Sequence, residues 1–183
     1  MSQRNCFSPK NKIPVNLINL ETEAGPLVIA ERHGAISDLF WAGETQLPDG
    51  REKPTPVLKK AARQIREYLA GRRRVFNLPI ILNGSDFQRT VLEAVRAIPY
   101  GQVRSYKQIA QDIGRPRAAR AVGTANRNCS IAIIVPCHRV IRHDGSVAEG
   151  DGGNDRRLYL LDLERDFLNC FGPEKKRARP AEP

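Results

Sequence analysis

The chain has 183 residues, of which 40% are hydrophobic, and this is enough to build a substantial core. No run of about 18 apolar residues is present and residues 1–11 are polar, so we expect neither a membrane span nor a secretory signal and place the protein in the cytoplasm. The 30 Lys and Arg residues against 20 Asp and Glu leave a net charge of +10, which favours a polyanionic partner.

The cysteines are too sparse and too irregularly spaced for a disulfide framework or a paired zinc motif. They are Cys6, Cys129, Cys137 and Cys170. We therefore expect a reducing compartment and a free thiol at Cys137. In the first half of the chain only Cys6 and His33 are candidate metal ligands, too few for a tetrahedral zinc site, so we predict no metal.

The first half of the chain predicts a small sheet and one helix. Three short apolar stretches separated by turn residues cover residues 15–20, 26–30 and 36–41. A loop at 46–56 then leads to a helix over 57–69, which has apolar residues along one face and Gly71 at its end. We assign this part, residues 1–82, to an N-terminal domain.

Helices dominate the second half, which we assign to a domain over residues 83–170. Ser85 is placed to cap a helix that ends at Pro99-Tyr100-Gly101, and a further helix is expected over 156–167. The remaining residues, 171–183, are basic, contain prolines and lack apolar periodicity, which predicts a disordered tail.

Two short helices joined by a tight corner lie in the middle of this second domain. Ser105 caps a helix over 106–113, Gly114 ends it, and Pro116 is expected in the first turn of a helix over 117–125. Small residues between arginines would let the second helix approach another backbone closely. The pattern predicts a helix-turn-helix, and an ordinary packed helical hairpin is the alternative.

An unusual stretch follows at residues 133–141, which is apolar apart from Cys137, His138 and Arg139. The residues before Cys137 predict a buried strand that Pro136 ends, which would place the thiol at a strand end with a base beside it. A buried and inert cysteine is the alternative.

Residues 136–140, Pro-Cys-His-Arg-Val, follow Ser105-Tyr106 and the run 117–123, and they precede Leu160-Leu161-Asp162-Leu163-Glu164. In this order the motifs resemble the O6-alkylguanine-DNA alkyltransferase family over roughly residues 85–167.

The resemblance implies an α/β fold of the α+β type. A small ribonuclease-H-like sheet-and-helix domain would precede a mainly helical, winged helix-turn-helix-like domain that binds DNA and carries the active site. It also implies direct repair: a monomer binds duplex DNA, flips an O6-alkylguanine (or an O4-alkylthymine) and transfers the alkyl group to its own cysteine once, without a cofactor. In a prokaryote the protein would associate with the nucleoid.

Residue roles carry over from the family by position. Cys137 is the alkyl acceptor, His138 its activating base, Glu164 the group that orients the histidine, and Tyr106 a donor near the flipped base. Arg120 fills the gap that the flipped base leaves. The other expected DNA contacts are Ser105, Arg117, Ala119, Thr124 and Arg127.

The chemistry agrees with these residue types. Attack on an alkyl carbon needs a thiolate, a neutral histidine can take the thiol proton, and a carboxylate can fix the tautomer of that histidine. We call Cys137, His138 and Glu164 the relay. Alternatives stay open for three side chains: Glu164 as a solvated partner of an arginine, Tyr106 as a structural aromatic, and Arg120 as a phosphate contact.

Two positions depart from the family pattern. Ala148-Glu149-Gly150 stands where the family commonly has a glycine-tyrosine pair in its pocket loop. Cys129 stands where an asparagine commonly braces the active site, so we expect Asn128 to shift into that role, beside Arg139.

Two other functions remain possible from the sequence. A Cys-His-Glu hydrolase would use the same side chains, but it has no use for a basic helix-turn-helix. A sensor that binds damaged bases without repairing them would leave Cys137 unmodified.

Overall fold

A four-stranded sheet occupies the first half of the structure, a computed structural model that describes residues 15–43, 50–147 and 154–171, with 167–171 as backbone. The strands are β1 (Val15–Leu20), β2 (Leu27–Arg32), β3 (Ala35–Trp41) and β4 (Gly50–Glu52). Their order is β3-β2-β1-β4. The pairs β1–β2 and β2–β3 are antiparallel, and β4 runs parallel to β1.

The three predicted strands are confirmed, whereas β4 was missed inside the predicted loop at 46–56. Its residues, Gly-Arg-Glu, are all exposed, so no apolar alternation marks them as a strand. The turn between β2 and β3 has positive φ at both His33 (52°) and Gly34 (75°). Two successive positive φ values match the twist of a two-residue hairpin.

Helix α1 (Pro56–Leu69) packs one face on the sheet. Thr55 accepts a hydrogen bond from the amide of Leu58 and caps the helix, and Pro56 lies in the first turn, where its missing N–H costs nothing. Gly71, with φ of 69°, follows the helix end as predicted. The buried face consists of Leu58, Ala61, Ala62, Gln64, Ile65, Tyr68 and Leu69.

The second half is mainly helical. Its elements are α2 (Asp86–Arg96), β5 (Arg104–Ser105), α3 (Tyr106–Asp112), α4 (Ala119–Arg127), a 3-10 turn (Cys137–Arg139), β6 (Val140–Ile141) and α5 (Asn154–Phe171). Ser85 and Ser105 cap α2 and α3 as predicted, each in a capping box with the glutamine three residues later. The short strands β5 and β6 pair in parallel, which brings the start of α3 beside the end of the 3-10 turn.

The prediction for Pro116 was wrong. Helix α4 begins at Ala119 and not at Arg117, so the proline lies outside it. The amide of Ala118 instead bonds the carbonyl of Arg115 and closes a separate turn over residues 115–118. The helix carries no side-chain cap, and this explains why its start was misplaced.

The apolar run before Cys137 is not a strand, which corrects a second expectation. Residues 132–134 form a turn in which Ile133 has a φ of 68°, rare for a β-branched residue. The amide of Leu39 in β3 bonds the carbonyl of Ser130, and the amide of Ala132 bonds the carbonyl of Leu39. The run is apolar because it is buried beside the sheet edge, and not because it alternates along a strand.

Buried side chains from both halves form one hydrophobic cluster, which includes Leu39, Leu58, Val95 and Ile131. The division at residue 82 and the ribonuclease-H-like character of the first part stay predictions. Among residues 15–43, 50–147 and 154–171, no helix is long and apolar enough to cross a membrane. The tail at 172–183 lies outside the described residues.

Candidate active site

Cys137 opens the 3-10 turn and is held through its own backbone. Its amide donates to the carbonyl of Val135 at 2.7 Å, and its carbonyl accepts from Nδ2 of Asn126 at 3.1 Å. Asn126 lies on the buried face of α4, so this bond ties the reactive residue to the helix that follows the tight corner. The residue itself is half-buried and its thiol is free.

A second thiol contacts the first. Hydrogen bonding from Cys129 lowers the pKa of Cys137 to about 7, because a donor stabilises the thiolate, and the positive charge of Arg157 acts in the same direction against the cost of burial. The same hydrogen bond and burial raise the pKa of Cys129. The interaction with Cys129 therefore favours the thiolate form of Cys137.

His138 follows in the same turn and is buried. Its Nε2 lies 2.9 Å from Oε1 of Glu164, while its Nδ1 has no hydrogen-bond partner in the part of the chain that the structure describes. Burial lowers the pKa of His138, although Glu164 opposes that shift. A neutral ring with its proton on Nε2 leaves Nδ1 as the acceptor.

Glu164 is buried on α5 and accepts hydrogen bonds from several elements. Arg139 donates from Nε at 3.0 Å to one oxygen and from Nη2 at 2.8 Å to the other, and the amide of Gly101 donates at 2.8 Å. Burial opposes its ionisation, but the hydrogen bonds from His138 and Arg139 outweigh burial and lower the pKa of Glu164 to about 2. A solvated Glu164 is therefore excluded.

Arg139 links Glu164 to the segment that follows α2. Besides its bonds to Glu164, it donates from Nη1 to the carbonyl of Ile98 at 2.6 Å, just after α2. The predicted brace Asn128 is a correction: it is the exposed residue at the end of α4, and Asn126 makes the contact with Cys137 instead. Asn126 lies four positions after Val122 and directly after Ala125, so it shares the buried face of α4 with them.

Tyr68 is the other residue that sequence reasoning missed. It lies on the buried face of α1, and its hydroxyl donates to Oε1 of Glu164 at 2.6 Å across 96 residues of chain. An aromatic residue on an apolar helix face looks like ordinary core. No local signal distinguishes it.

The expected DNA contacts lie on α3, on α4 or in the residues directly before these helices, and none of them belongs to the relay. Tyr106 is half-buried and its ring packs over Gly123, 3.7 Å from where a Cβ would lie there. The hydroxyl of Thr124 donates to the carbonyl of Arg120 at 3.3 Å, and Ser105 is occupied as the α3 cap. Ala119 is half-buried, and the exposed members are Arg117, Arg120, Thr124 and Arg127.

The pocket loop at Ala148-Glu149-Gly150 lies outside the described residues. Among the residues that are described, no three His, Cys, Asp or Glu side chains are grouped to hold a metal ion.

Comparison with known proteins gives the family. Residues 86–166 match the model of the 6-O-methylguanine DNA methyltransferase, DNA binding domain. The constitutive methylated-DNA--protein-cysteine methyltransferase of Bacillus subtilis is 40% identical over 152 residues, covering 79% of this chain and 92% of that protein. The corresponding protein of Methanosarcina barkeri is also 40% identical over 152 residues, which are 81% of this chain and 96% of that one.

Solved structures agree with these relatives. The crystal structure of Mycobacterium tuberculosis OGT in complex with DNA superposes with a TM-score of 0.76 at 39% identity and covers 85% of this chain and 94% of that one. The α+β fold, with its helical DNA-binding part, is therefore confirmed. On these matches and this geometry, the chain belongs to the methylated-DNA--protein-cysteine methyltransferase family.

Proposed function

We propose that this protein repairs DNA by moving an alkyl group from O6 of guanine to Sγ of its own Cys137. The observation that carries the proposal is the relay: the free thiol of Cys137 shares a turn with a buried histidine, which is fixed in turn by a buried carboxylate. The family relatives carry the same activity in their names.

The reaction balances without a cofactor. The Sγ–C bond forms as the C–O6 bond breaks, and the electron pair of that bond goes to the guanine. Nδ1 of His138 accepts the thiol proton, directly or through water, while Glu164 stabilises the imidazolium. The products are S-alkylcysteine and unmodified guanine, and the thioether is stable, so each molecule acts once.

The leaving guanine needs a proton on its ring, and we assign that donation to Tyr106. Its position at the start of α3, with β5 paired to the strand that follows the 3-10 turn, supports this role. The same residue would contact the flipped nucleotide. O4-alkylthymine presents a similar oxygen and belongs to the same substrate class.

DNA binding is assigned to the surface formed by α3 and α4. Arg120 would occupy the space left by the flipped base, which offsets part of the few kcal/mol that extrusion costs. Arg117 and Arg127 would bind phosphates, with Ser105, Ala119 and Thr124 close to the backbone. We further propose that the protein acts as a monomer on chromosomal DNA, at the nucleoid in a prokaryote.

Peptide mass spectrometry after incubation with a duplex that contains O6-methylguanine tests the proposal. We expect one methyl group on the Cys137 peptide, restored guanine in the DNA and no second turnover. Cys137→Ser should bind the duplex and acquire no methyl group. If the wild-type protein binds the lesion tightly but its Cys137 stays unmodified, the repair proposal is wrong and the sensor function takes its place.

A further inference from the structure

Tyr68 contacts the relay although it belongs to the first half of the chain. It lies on α1, which packs on the sheet, and its side chain is fully buried. The hydroxyl lies 2.6 Å from Oε1 of Glu164 and 3.3 Å from Nε2 of His138, so it contacts both the base and the carboxylate that orients the base.

We propose that Tyr68 is a positioning residue for alkyl transfer, whose hydroxyl sets how strongly Glu164 attracts the proton on His138. The proposal rests on the repair function given above. It adds to the relay a fourth side chain that the first half of the chain supplies.

Three side chains donate to one oxygen of Glu164. Oε1 accepts from Tyr68 at 2.6 Å, from His138 at 2.9 Å and from Nη2 of Arg139 at 2.8 Å. Each donor draws electron density from that oxygen and weakens its attraction for the others. Without the tyrosine hydroxyl, Oε1 would hold the imidazolium more strongly, and the ring would stay protonated to higher pH, where it cannot accept the thiol proton.

The hydroxyl is suited to this task because it stays a donor. Burial, followed by the nearby Glu164, raises the pKa of Tyr68 far above the physiological range, so it does not ionise. The other oxygen, Oε2, keeps its bonds from Gly101 and Arg139 when Tyr68 changes. Removing the hydroxyl therefore alters the basicity of the carboxylate without releasing it.

Other charged or titratable groups also face the histidine ring and must be held constant. Glu164 raises the pKa of His138, whereas Arg139 and Arg157 lower it. Cys137 precedes the ring in the same turn, and Tyr100 packs edge-on against Tyr68 at 6.0 Å between centroids. A substitution confined to the Tyr68 hydroxyl leaves all of these in place.

Tyr68 also packs in the core, with its ring 5.4 Å from that of Phe76. A purely structural tyrosine would stabilise the fold and leave the pH dependence of the reaction unchanged. Phe76→Leu therefore serves as the matched control, since it loosens packing around Tyr68 and leaves the hydroxyl in place.

The test measures the single-turnover rate of methyl transfer against pH. The acid limb is the low-pH part of this profile, where the rate falls as His138 is protonated. In Tyr68→Phe we expect this limb to move to higher pH, and the rate near pH 6.5 to be about threefold to tenfold lower, since one pKa unit changes the neutral fraction of the histidine about tenfold. At high pH the rates of the variant and the wild type should converge. Replacing Tyr68 by 3-fluorotyrosine, a stronger donor of the same shape, should shift the limb the opposite way. Phe76→Leu should lower the melting temperature and leave the limb in place.

Titration of the His138 imidazole by 15N NMR, which needs no DNA, separates the two proposals. If the wild type transfers no methyl group but its His138 titration moves in Tyr68→Phe, repair fails and the positioning role stands. If the wild type repairs DNA and neither Tyr68 variant moves the limb or the titration, Tyr68 is structural. A Tyr68→Phe protein that fails to fold leaves the fluorotyrosine shift to decide.

Discussion

Nε2 of His138 lies 2.9 Å from Oε1 of Glu164, although 26 residues separate them in the chain. The contact exists because Glu164 is buried on α5 and the 3-10 turn packs against that helix. It fixes the proton of the neutral ring on Nε2 and leaves Nδ1 to receive a proton. The same carboxylate is the counter-ion of buried Arg139, so one side chain both orients His138 and balances the charge of Arg139.

Glu164→Gln should destabilise the protein as well as slow it. Arg139 is buried and would lose its anionic partner, and breaking a buried pair costs about 3 kcal/mol or more. Methyl transfer should fall by about 10²-fold, because the base loses the group that orients it. Urea unfolding and single-turnover kinetics measure the two effects. Glu93→Gln, on the exposed side of α2, is the control and should change neither; an equally stable Glu164→Gln would contradict the structural role.

Cys129→Ala should make Cys137 less reactive at neutral pH. The hydrogen bond from Cys129 is the main cause that lowers the pKa of Cys137 to about 7, so its loss should raise the midpoint of thiolate formation. Iodoacetamide labelling of Cys137 against pH, followed by peptide mass spectrometry, locates that midpoint. Cys129→Ser keeps a donor and should retain more of the effect. An unchanged midpoint in Cys129→Ala would show that Arg157 and the backbone suffice.

Arg120→Ala should slow repair in duplex DNA by about tenfold. We expect the free energy of base extrusion to rise by about 1.4 kcal/mol, and that increase lowers the rate tenfold. Repair in single-stranded DNA, where no gap needs filling, should change little. Arg63→Ala removes the same charge from the exposed face of α1 and should affect neither substrate. Equal losses in both substrates would reduce Arg120 to a phosphate contact.

Stability should fall as the pH drops below about 6.5. In the folded state the pKa values of His138 and Glu164 both lie below the ordinary values of 6.5 and 4.5, so the unfolded chain binds more protons in acid. Each group contributes fully to the free energy of unfolding when the pH is above its unfolded-state pKa. That contribution is lost as the pH falls through its folded-state pKa. Urea unfolding from pH 8 to 4 tests this. His138→Gln should lose less stability between pH 7 and 5, and a parallel curve would show that other groups dominate.

Local chemistry accounts for what the sequence predicted. The caps at Ser85 and Ser105 depend on residues three positions away, and the strands on short apolar stretches between turn residues, so both were placed correctly. The run at 133–136 was misassigned because burial by distant segments makes a turn as apolar as a strand. Helix α4 lacks a side-chain cap, and its start was accordingly misplaced.

Some residues of the candidate site could be predicted from the sequence and others could not. Cys137 and His138 are neighbours in a recognisable motif, and the approach of Glu164 was predicted by resemblance. Tyr68 and Asn126 were missed because their roles depend on packing between helices far apart in sequence. Their residue types, a tyrosine on an apolar face and an amide near a helix end, are common in ordinary cores.

The hydrogen-bond donors to Glu164 come from α1, the segment after α2 and the 3-10 turn, whereas α5 carries Glu164 itself. During synthesis of the chain, Cys137 is therefore made before Glu164. Until α5 docks, Arg139 has no anion and His138 no orienting partner. The docking of α5 is therefore the step that completes both the orientation of His138 and the charge balance of Arg139.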